Sequence, residues 1–292
     1  MKRYLFLMCP LFALAACVVE PTVTPMPTPT DFPALPPAGA SAGDTWTRPK
    51  DGAVMVYVPA GEFLMGSTDD DIDAIMAQCS DCKREEYAEE QPQHAVSLDA
   101  FWIDRNEVTN VQYRTCVEAG ACIEPRCWEE DDFNAPDQPV VCVVWADAQD
   151  YVAWVGGRLP TEAEWEKAAR GTDGRIYPWG NSPPDCDRAN YAGCAGKPLP
   201  VGSHPDGASP YDVLEMAGNV QEWVADWYDA DYYSRTPVWN PQGPESGAFR
   251  VLRGASFNYY PWVAHGAVRA GKYPIGSNWW VGFRVVLPPG DY

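Results

Sequence analysis

Alternating and clustered apolar positions predict a series of short strands along the chain. Residues 54–58 form an apolar, strand-like run that Pro59 and Gly61 end, and residues 62–66 are predicted to pair with it as a hairpin. The same pattern predicts further strands at 94–98, 101–103, 250–253 and 282–287, the last two as a strand pair. These strands are short and widely spaced, which favours a fold with long irregular connections.

Two capping boxes and a Gly156-Gly157 stop predict three helices. Thr109 with Gln112 and Thr161 with Glu164 have the spacing of a capping box, in which each side chain bonds the backbone N–H of the other residue. The predicted helices cover residues 109–119, 146–155 and 161–169. Beyond Gly174 helical periodicity disappears, so the sequence predicts an irregular, loop-rich α+β fold.

Composition and charge narrow the classes of function. The 292 residues include 29 Pro and 24 Gly, which argue against a helical bundle. There are 41 Asp and Glu against 21 Lys and Arg, a formal net charge of −20. Such a field repels phosphate backbones, so nucleic acid is not an expected partner.

The first residues predict export. Lys2 and Arg3 precede a nearly unbroken apolar run at 4–16, which is typical of a signal peptide and short for a membrane span. Residues 14–17, Leu-Ala-Ala-Cys, resemble a bacterial lipobox, in which Cys17 is lipidated and becomes the new N-terminus. The alternative is an ordinary Ala-x-Ala cleavage site beside an incidental cysteine. We expect an extracytoplasmic protein held to a bacterial membrane surface through a lipid anchor only.

A tether is predicted between the anchor and the domain. Residues 17–50 hold repeated Thr-Pro steps and a Pro-Pro pair, and proline fixes φ and removes hydrogen-bond donors. The predicted organisation is a signal peptide at 1–16, the lipidated cysteine and tether at 17–50, and one domain at 51–292.

Eight cysteines remain after Cys9 and Cys17 are set aside. An even number in an exported chain predicts disulfides, and near-neighbour pairing would close four local loops. The predicted pairs are Cys79–Cys82, Cys116–Cys122, Cys127–Cys142 and Cys186–Cys194. The alternative for Cys79 and Cys82 is half of a zinc site or a thioredoxin-like redox pair.

Eight stretches in family order resemble the formylglycine-generating-enzyme, or sulfatase-modifying factor, domain family, a variant of the C-type lectin fold. They are M-V-Y-V-P-A-G-E-F (55–63), M-G-S (65–67), D-R-N-E-V-T-N (104–110), G-R-L-P-T-E-A-E-W-E (157–166), Y-P-W-G-N (177–181), M-A-G-N-V-Q-E-W (216–223), R-G-A-S (253–256) and G-F-R (282–284). They span nearly all of residues 52–287. The resemblance implies a single domain of this fold.

The resemblance implies a structural calcium site in one loop. The family binds calcium there, and this carries over to Glu215, Gly218, Val220 and Glu222. Carboxylate and carbonyl oxygens are the ligands that calcium prefers. The alternative is a solvated acidic loop, and Glu215 stands where the family more often has Asn or Asp. A second family calcium site, at Asn190 and Tyr191, is not expected.

The family's chemistry is not expected here. A formylglycine-generating enzyme needs two cysteines five residues apart to hold copper, and those positions fall near Tyr259 and Ala264. No cysteine follows Cys194, so no catalytic residue is assigned and copper is not expected. The sulfoxide synthases of the family need a three-histidine iron site. The three histidines of this chain stand in separate elements: His94, His204 and His265.

A binding function is predicted instead. Residues 257–281 are rich in side chains suited to contact, because Tyr and Trp give large contact areas with few rotors to immobilise. The candidate ligand-binding residues are Asn258, Tyr259, Tyr260, His265, Lys272, Tyr273, Asn278, Trp279 and Trp280. The segment resembles the variable region of proteins diversified by retroelements, which lies between the same Arg-Gly and Gly-Phe-Arg frames.

We therefore expect a surface-displayed, non-catalytic lipoprotein that binds an external protein or glycan and is diversified at 257–281. One alternative is an enzyme, or enzyme accessory, of the formylglycine-generating family with unrecognised chemistry. Another is a structural role in the envelope. It also stays open that the aromatic side chains of 257–281 are core and rim of the fold.

Overall fold

The computed structural model describes residues 36, 37 and 39–290. The predicted signal peptide, Cys17 and most of the predicted tether lie outside the described residues, as do residues 291 and 292. The described residues belong to one unit of the chain.

Four α-helices occur in the described part, all before residue 171. They are α1 (Asp69–Met76), α2 (Asn110–Glu118), α3 (Trp145–Trp154) and α4 (Glu162–Arg170). The capping boxes at Thr109 and Thr161 are confirmed, because each threonine side chain accepts from the N3 backbone N–H and the N3 side chain bonds back. Helix α1 was not predicted, although Thr68 and Asp71 form a capping box of the same geometry.

In the part of the chain that the structure describes, ten strands form three sheets. The strands are β1 (Thr45–Thr47), β2 (Val54–Val58), β3 (Gly61–Met65), β4 (His94–Leu98), β5 (Phe101–Asp104), β6 (Gln221–Trp227), β7 (Arg250–Arg253), β8 (Arg269–Lys272), β9 (Val281–Phe283) and β10 (Val286–Leu287). The sheet orders are β1-β2-β5-β10, β3-β4 and β8-β7-β6-β9. All pairs are antiparallel except β6 with β9, which is parallel.

Two strand pairings predicted from the sequence are wrong. Strand β2 does not form a hairpin with β3: it pairs with β1 and β5, while β3 pairs with β4. Strand β7 does not pair directly with the last strands, because β6 lies between β7 and β9. Strands β2 with β5 and β6 with β9 are partners that are not consecutive in the chain, so the hydrophobic pattern located the strands and not their neighbours.

Buried aromatic side chains lie at the centre of two parts of the core. In the first, Trp165 of α4 is fully buried among apolar residues of β2 to β5. In the second, Tyr113 stacks on Tyr151 with ring centroids 5.6 Å apart, and both contact Phe283. Helix α4 is buried along its whole length, and β9 joins the second cluster from the C-terminal end.

No helix within the described ranges is long and apolar enough to span a membrane.

Candidate functional site

Buried arginines fix both ends of the segment 257–281. Arg253, at the end of β7, donates to Glu162 at 3.0 Å and to Glu166 at 2.8 Å, both on α4. Arg284, after β9, donates twice to Glu222 of β6, at 2.6 and 2.7 Å. All five side chains are at most 2% exposed. The frames on either side of the segment are thus anchored to elements outside it.

Between these frames the chain presents large aromatic side chains to solvent. Tyr260 and Tyr273 are each 61% exposed, Trp279 is 41% exposed and Tyr259 is 36% exposed. Side chains of this size are usually buried on folding, so their exposure leaves apolar area that a ligand can cover. These four residues are therefore not core, and the alternative that they form the rim of the fold stays open.

We give the name aromatic face to Tyr259, Tyr260, Trp279 and Trp280. Contacts link Tyr259 to Trp280 and Trp280 to Trp279, whereas Tyr260 follows Tyr259 in the chain and stacks on Trp262, with ring centroids 4.5 Å apart. The rings of Trp279 and Trp280 meet edge to face with centroids 4.7 Å apart. The Tyr259 hydroxyl contacts the Trp280 side chain. Phe257 supports Trp279 from below, since it is 1% exposed and its ring centroid is 5.5 Å from that of Trp279. A buried ring thus fixes the position of an exposed one.

The remaining candidate ligand-binding residues lie at different places around this face. Asn258 is exposed beside it. Lys272 is half-buried, with its Nζ atom 6.0 Å from the centroid of the Trp280 ring. Asn278 is half-buried, and its backbone carbonyl accepts from Cys142 and Val281. Tyr273 packs against Phe249, with ring centroids 4.4 Å apart.

His265 does not lie on the surface. It is 1% exposed, its Nε2 lies 2.8 and 2.9 Å from the two carboxylate oxygens of Glu90, and its Nδ1 lies 3.0 Å from the Trp262 carbonyl. The expectation that it contacts ligand is corrected: a carboxylate 175 residues away in sequence holds it inside. Its place is structural, tying the segment to residues 84–90.

The predicted calcium loop brings its two carboxylates into different surroundings. Both oxygens of Glu222 accept hydrogen bonds from Arg284, and one also accepts from the Trp165 indole at 2.8 Å. Glu215 is 8% exposed, and one of its oxygens accepts from Gly202 at 2.8 Å. Its other oxygen is buried and has no hydrogen-bond partner in the described part of the chain.

Carboxylates crowd together around Arg284. Burial raises the pKa of Glu215 to about 7, although the Arg284 charge lowers it. Burial raises the pKa of Glu107 well above its usual range, and repulsion from Glu215 and Glu222 adds to this. Glu107 accepts from the Val220 backbone N–H at 3.2 Å and from Asn219 at 3.0 Å. Glu107 was not among the sequence candidates.

These residues fit a calcium ion only in part. The free oxygen of Glu215 is an acceptor that a cation would satisfy, and Glu215 adopts a left-handed backbone, φ 57°, where Asn is more usual. Glu222 does not fit, because Arg284 already neutralises it. Within residues 39–290 no group of three or more His, Cys, Asp or Glu side chains is placed to hold a metal. Calcium in this loop stays a prediction.

The four predicted disulfides are all formed. Cys79–Cys82, Cys116–Cys122, Cys127–Cys142 and Cys186–Cys194 are paired, with Cα atoms 5.3 to 5.7 Å apart. Cys79 and Cys82 are thus bonded to each other in this structure, in place of a zinc site.

The chain is similar to known proteins over most of its length. A family model described as the sulfatase-modifying factor enzyme 1-like domain matches residues 41–288. The chain is 31% identical over 307 residues to the formylglycine-generating enzyme of Streptomyces coelicolor, covering 85% of this chain and 93% of that enzyme. It is 33% identical over 278 residues to the hercynine oxygenase of Mycolicibacterium smegmatis, covering 82% of this chain. The match takes in 62% of that oxygenase, less than two thirds of its length.

Two solved structures share the fold. PvdO from Pseudomonas aeruginosa superposes with a TM-score of 0.71 at 28% identity, covering 85% of this chain and 98% of that one. Treponema denticola variable protein 1 superposes with a TM-score of 0.65 at 22% identity, covering 84% of this chain and 99% of that one. The second likeness shows the fold alone. The predicted α+β, C-type-lectin-like fold and the family resemblance are confirmed.

Proposed function

The chain belongs to the sulfatase-modifying factor enzyme 1-like domain family, and on that premise we propose that it binds an external ligand without modifying it. The observation that carries this proposal is the aromatic face. It presents exposed rings from a segment whose two ends are fixed by buried ion pairs. Rigid aromatic side chains on a fixed frame bind with little loss of conformational freedom.

The cysteines support the non-catalytic part of the proposal. The family's oxidation of a cysteine substrate needs redox-active thiolates, and the chain has no cysteine after Cys194. The eight cysteines between Cys79 and Cys194 are consumed as disulfides. The positions near Tyr259 and Ala264, where counting from Ser256 predicts the enzyme's cysteine pair, offer no thiolate for a copper site.

The place of action is part of the same proposal. The lipobox at Cys17 and the Thr-Pro tether support a domain displayed from a membrane surface by a lipid anchor. Disulfides persist in oxidising compartments outside the cytoplasm, and four of them support this location. Diversification of residues 257–281 by a retroelement also stays a proposal. A reverse transcriptase gene beside a template copy of the coding region for this segment would test it.

One experiment tests binding. The mature protein is applied to arrays of glycans and of peptides, in parallel with Tyr260→Ala and Trp279→Ala. We expect at least one ligand class to bind wild type and to bind both variants more weakly. If both variants bind the same ligands as wild type with unchanged strength, the proposal is contradicted.

A second candidate function is enzymatic, and the similarity to the formylglycine-generating enzyme of S. coelicolor favours it. Its test is incubation of the protein with a Cys-x-Pro-x-Arg peptide, copper and oxygen, followed by mass spectrometry. Formation of formylglycine would establish the enzyme and overturn the non-catalytic proposal.

A further inference from the structure

Two cations stand directly opposite each other on neighbouring strands. Arg250 of β7 pairs with Lys272 of β8 in the antiparallel register. Side chains at directly opposed positions project from the same face of a sheet, and like charges there repel each other. Both residues are half-buried, so solvent screens the repulsion only in part.

No carboxylate compensates this pair. Among the described residues neither cation takes part in an ion pair, whereas Arg253, Arg269 and Arg284 all do. The acidic group that acts on Arg250 is Asp226, and burial raises the pKa of Asp226 to about 8. Burial therefore favours the neutral form of Asp226. In a chain of net charge −20, two neighbouring cations without an acidic partner are unusual.

Aromatic rings surround the two cations. The Arg250 guanidinium lies between the rings of Trp145 and Trp227, 3.8 and 3.5 Å from their centroids. The Lys272 ammonium lies near Trp280, which belongs to the aromatic face. These contacts hold the cations in place but leave their charge, because an aromatic ring carries no net charge. The Nε atom of Arg250 is buried and has no acceptor in the described part of the chain.

We propose that Arg250 and Lys272 form an anion subsite at the edge of the aromatic face, and that the ligand is an acidic oligosaccharide. A ring carboxylate accepts from the guanidinium and the ammonium together. The flat, weakly polar face of a sugar ring lies against an indole. This proposal rests on the proposed binding function and names the class of ligand.

The observations favour a saccharide over an acidic peptide. Peptide and protein hot spots seat side chains in pockets. Here the rings near the cations are half-exposed indoles, and Trp279, whose ring meets that of Trp280, is 41% exposed. The flat face of a sugar ring can lie against an indole ring, and the acidic group of the saccharide supplies the negative charge that the two cations lack.

The experiment uses the full-length mature protein and two probes. One is an oligogalacturonate, and the other is the same oligosaccharide with its carboxyl groups reduced to alcohols. Binding is measured by calorimetry for wild type, Lys272→Gln and Arg250→Gln. We expect each substitution to weaken binding of the acidic probe by about tenfold to about a hundredfold, the range for a lost charge-assisted hydrogen bond. The reduced probe should bind all three proteins equally weakly.

Matched variants keep the result specific. Lys50 lies over a different ring, that of Trp154, 5.0 Å from its centroid, so Lys50→Gln removes another cation stacked on an indole and should change nothing. Lys272→Arg and Arg250→Lys keep the charge and should retain most of the affinity. Thermal melting of each variant checks that it is folded.

Three results would overturn the inference. If the acidic and the reduced probe bind equally well, the carboxylate of the sugar does not contribute to binding. Binding of polyglutamate, used as a third probe, in place of both sugars assigns the subsite to an acidic peptide. Ligand binding that is lost in Trp279→Ala and retained in both charge-removing variants refutes the subsite and leaves the proposed function standing. If wild type binds no member of either array, the proposed function fails as well.

Discussion

The side chain of Asp226 accepts a hydrogen bond from the backbone N–H of Glu162, over 2.8 Å, at the first turn of α4. The carboxyl group is 2% exposed, and burial raises its pKa from 3.8 to about 8, with repulsion from Glu162 as a further cause. The folded state therefore binds a proton at Asp226 that the unfolded state releases over much of the acid-to-neutral range.

The pH dependence of stability follows from this relationship. For a carboxyl group with a raised folded-state pKa, the stability contribution is full below the ordinary pKa and is lost as pH rises through the folded-state value. We expect the melting temperature of wild type to fall more steeply than that of Asp226→Asn between about pH 5 and about pH 8. Asp206→Asn, at an exposed position, is the control. Parallel curves for wild type and Asp226→Asn would refute the assignment.

The buried pairs that frame the segment should carry much of the stability. Arg253→Met leaves Glu162 and Glu166 each with one cation fewer, and loss of one partner of a buried pair costs about 3–5 kcal/mol. The exposed pair of Arg235 with Asp229 is the comparison, and Arg235→Met should cost less than about 1 kcal/mol. Urea denaturation measures both. A similar cost for the two variants would show that the frame is not held by its buried charges.

Exposed rings of the aromatic face should matter for binding and not for folding. Tyr260→Ala is expected to weaken ligand binding by about 1–4 kcal/mol if the ring is an anchor, with little change in melting temperature. Phe257→Ala is the opposite case, because that side chain is 1% exposed, and it should lower stability by about 3–5 kcal/mol. Binding and melting are measured on the same samples. Unfolding of Tyr260→Ala would place its ring in the core.

Calcium is tested by its effect on the folded state. If the loop binds the ion, thermal unfolding with calcium should show about 2–4 kcal/mol more stability than with chelator, at about 100 to 1,000 times Kd. The unpartnered oxygen makes Glu215 the residue to test, so Glu215→Gln should reduce the difference while Glu245→Gln, at an exposed position, should keep it. An unchanged melting temperature in wild type would leave a solvated acidic loop.

The anchor is tested by fractionation. Wild type should be found with membranes, with its N-terminus at Cys17, and Cys17→Ser should be released or left uncleaved. Mass spectrometry of the N-terminal peptide distinguishes the two products. A soluble wild-type protein that begins at another residue would favour the ordinary cleavage site.

Local signals were predictable from the sequence and long-range ones were not. The capping boxes at Thr109 and Thr161 involve groups three residues apart, and both were predicted correctly. The partner of β2 is fixed by packing against β5, far along the chain, and the predicted hairpin was wrong. Strand β6 was missed because it is buried on both faces over most of its length and lacks alternation.

The candidate site also has features that the local sequence predicts and features that depend on long-range contacts. Aromatic richness located the surface, since composition alone marks Tyr259 to Trp280 as suited to contact. The burial of His265 was not predictable, because its carboxylate partner Glu90 gives no local signal. The opposition of Arg250 and Lys272 depends on the register of β7 and β8, which only the structure provides.

The anchoring of both frames to α4 and β6 has a consequence for protein engineering. Arg253 and Arg284 take their carboxylate partners from outside residues 257–281, so exposed positions such as Tyr260, Tyr273 and Ile275 can be randomised together without touching those ion pairs. A library built at these positions would vary the recognition surface of a scaffold whose interior stays constant. The domain could then serve as a scaffold for the selection of new binding proteins, in which one variable segment is held by a constant framework.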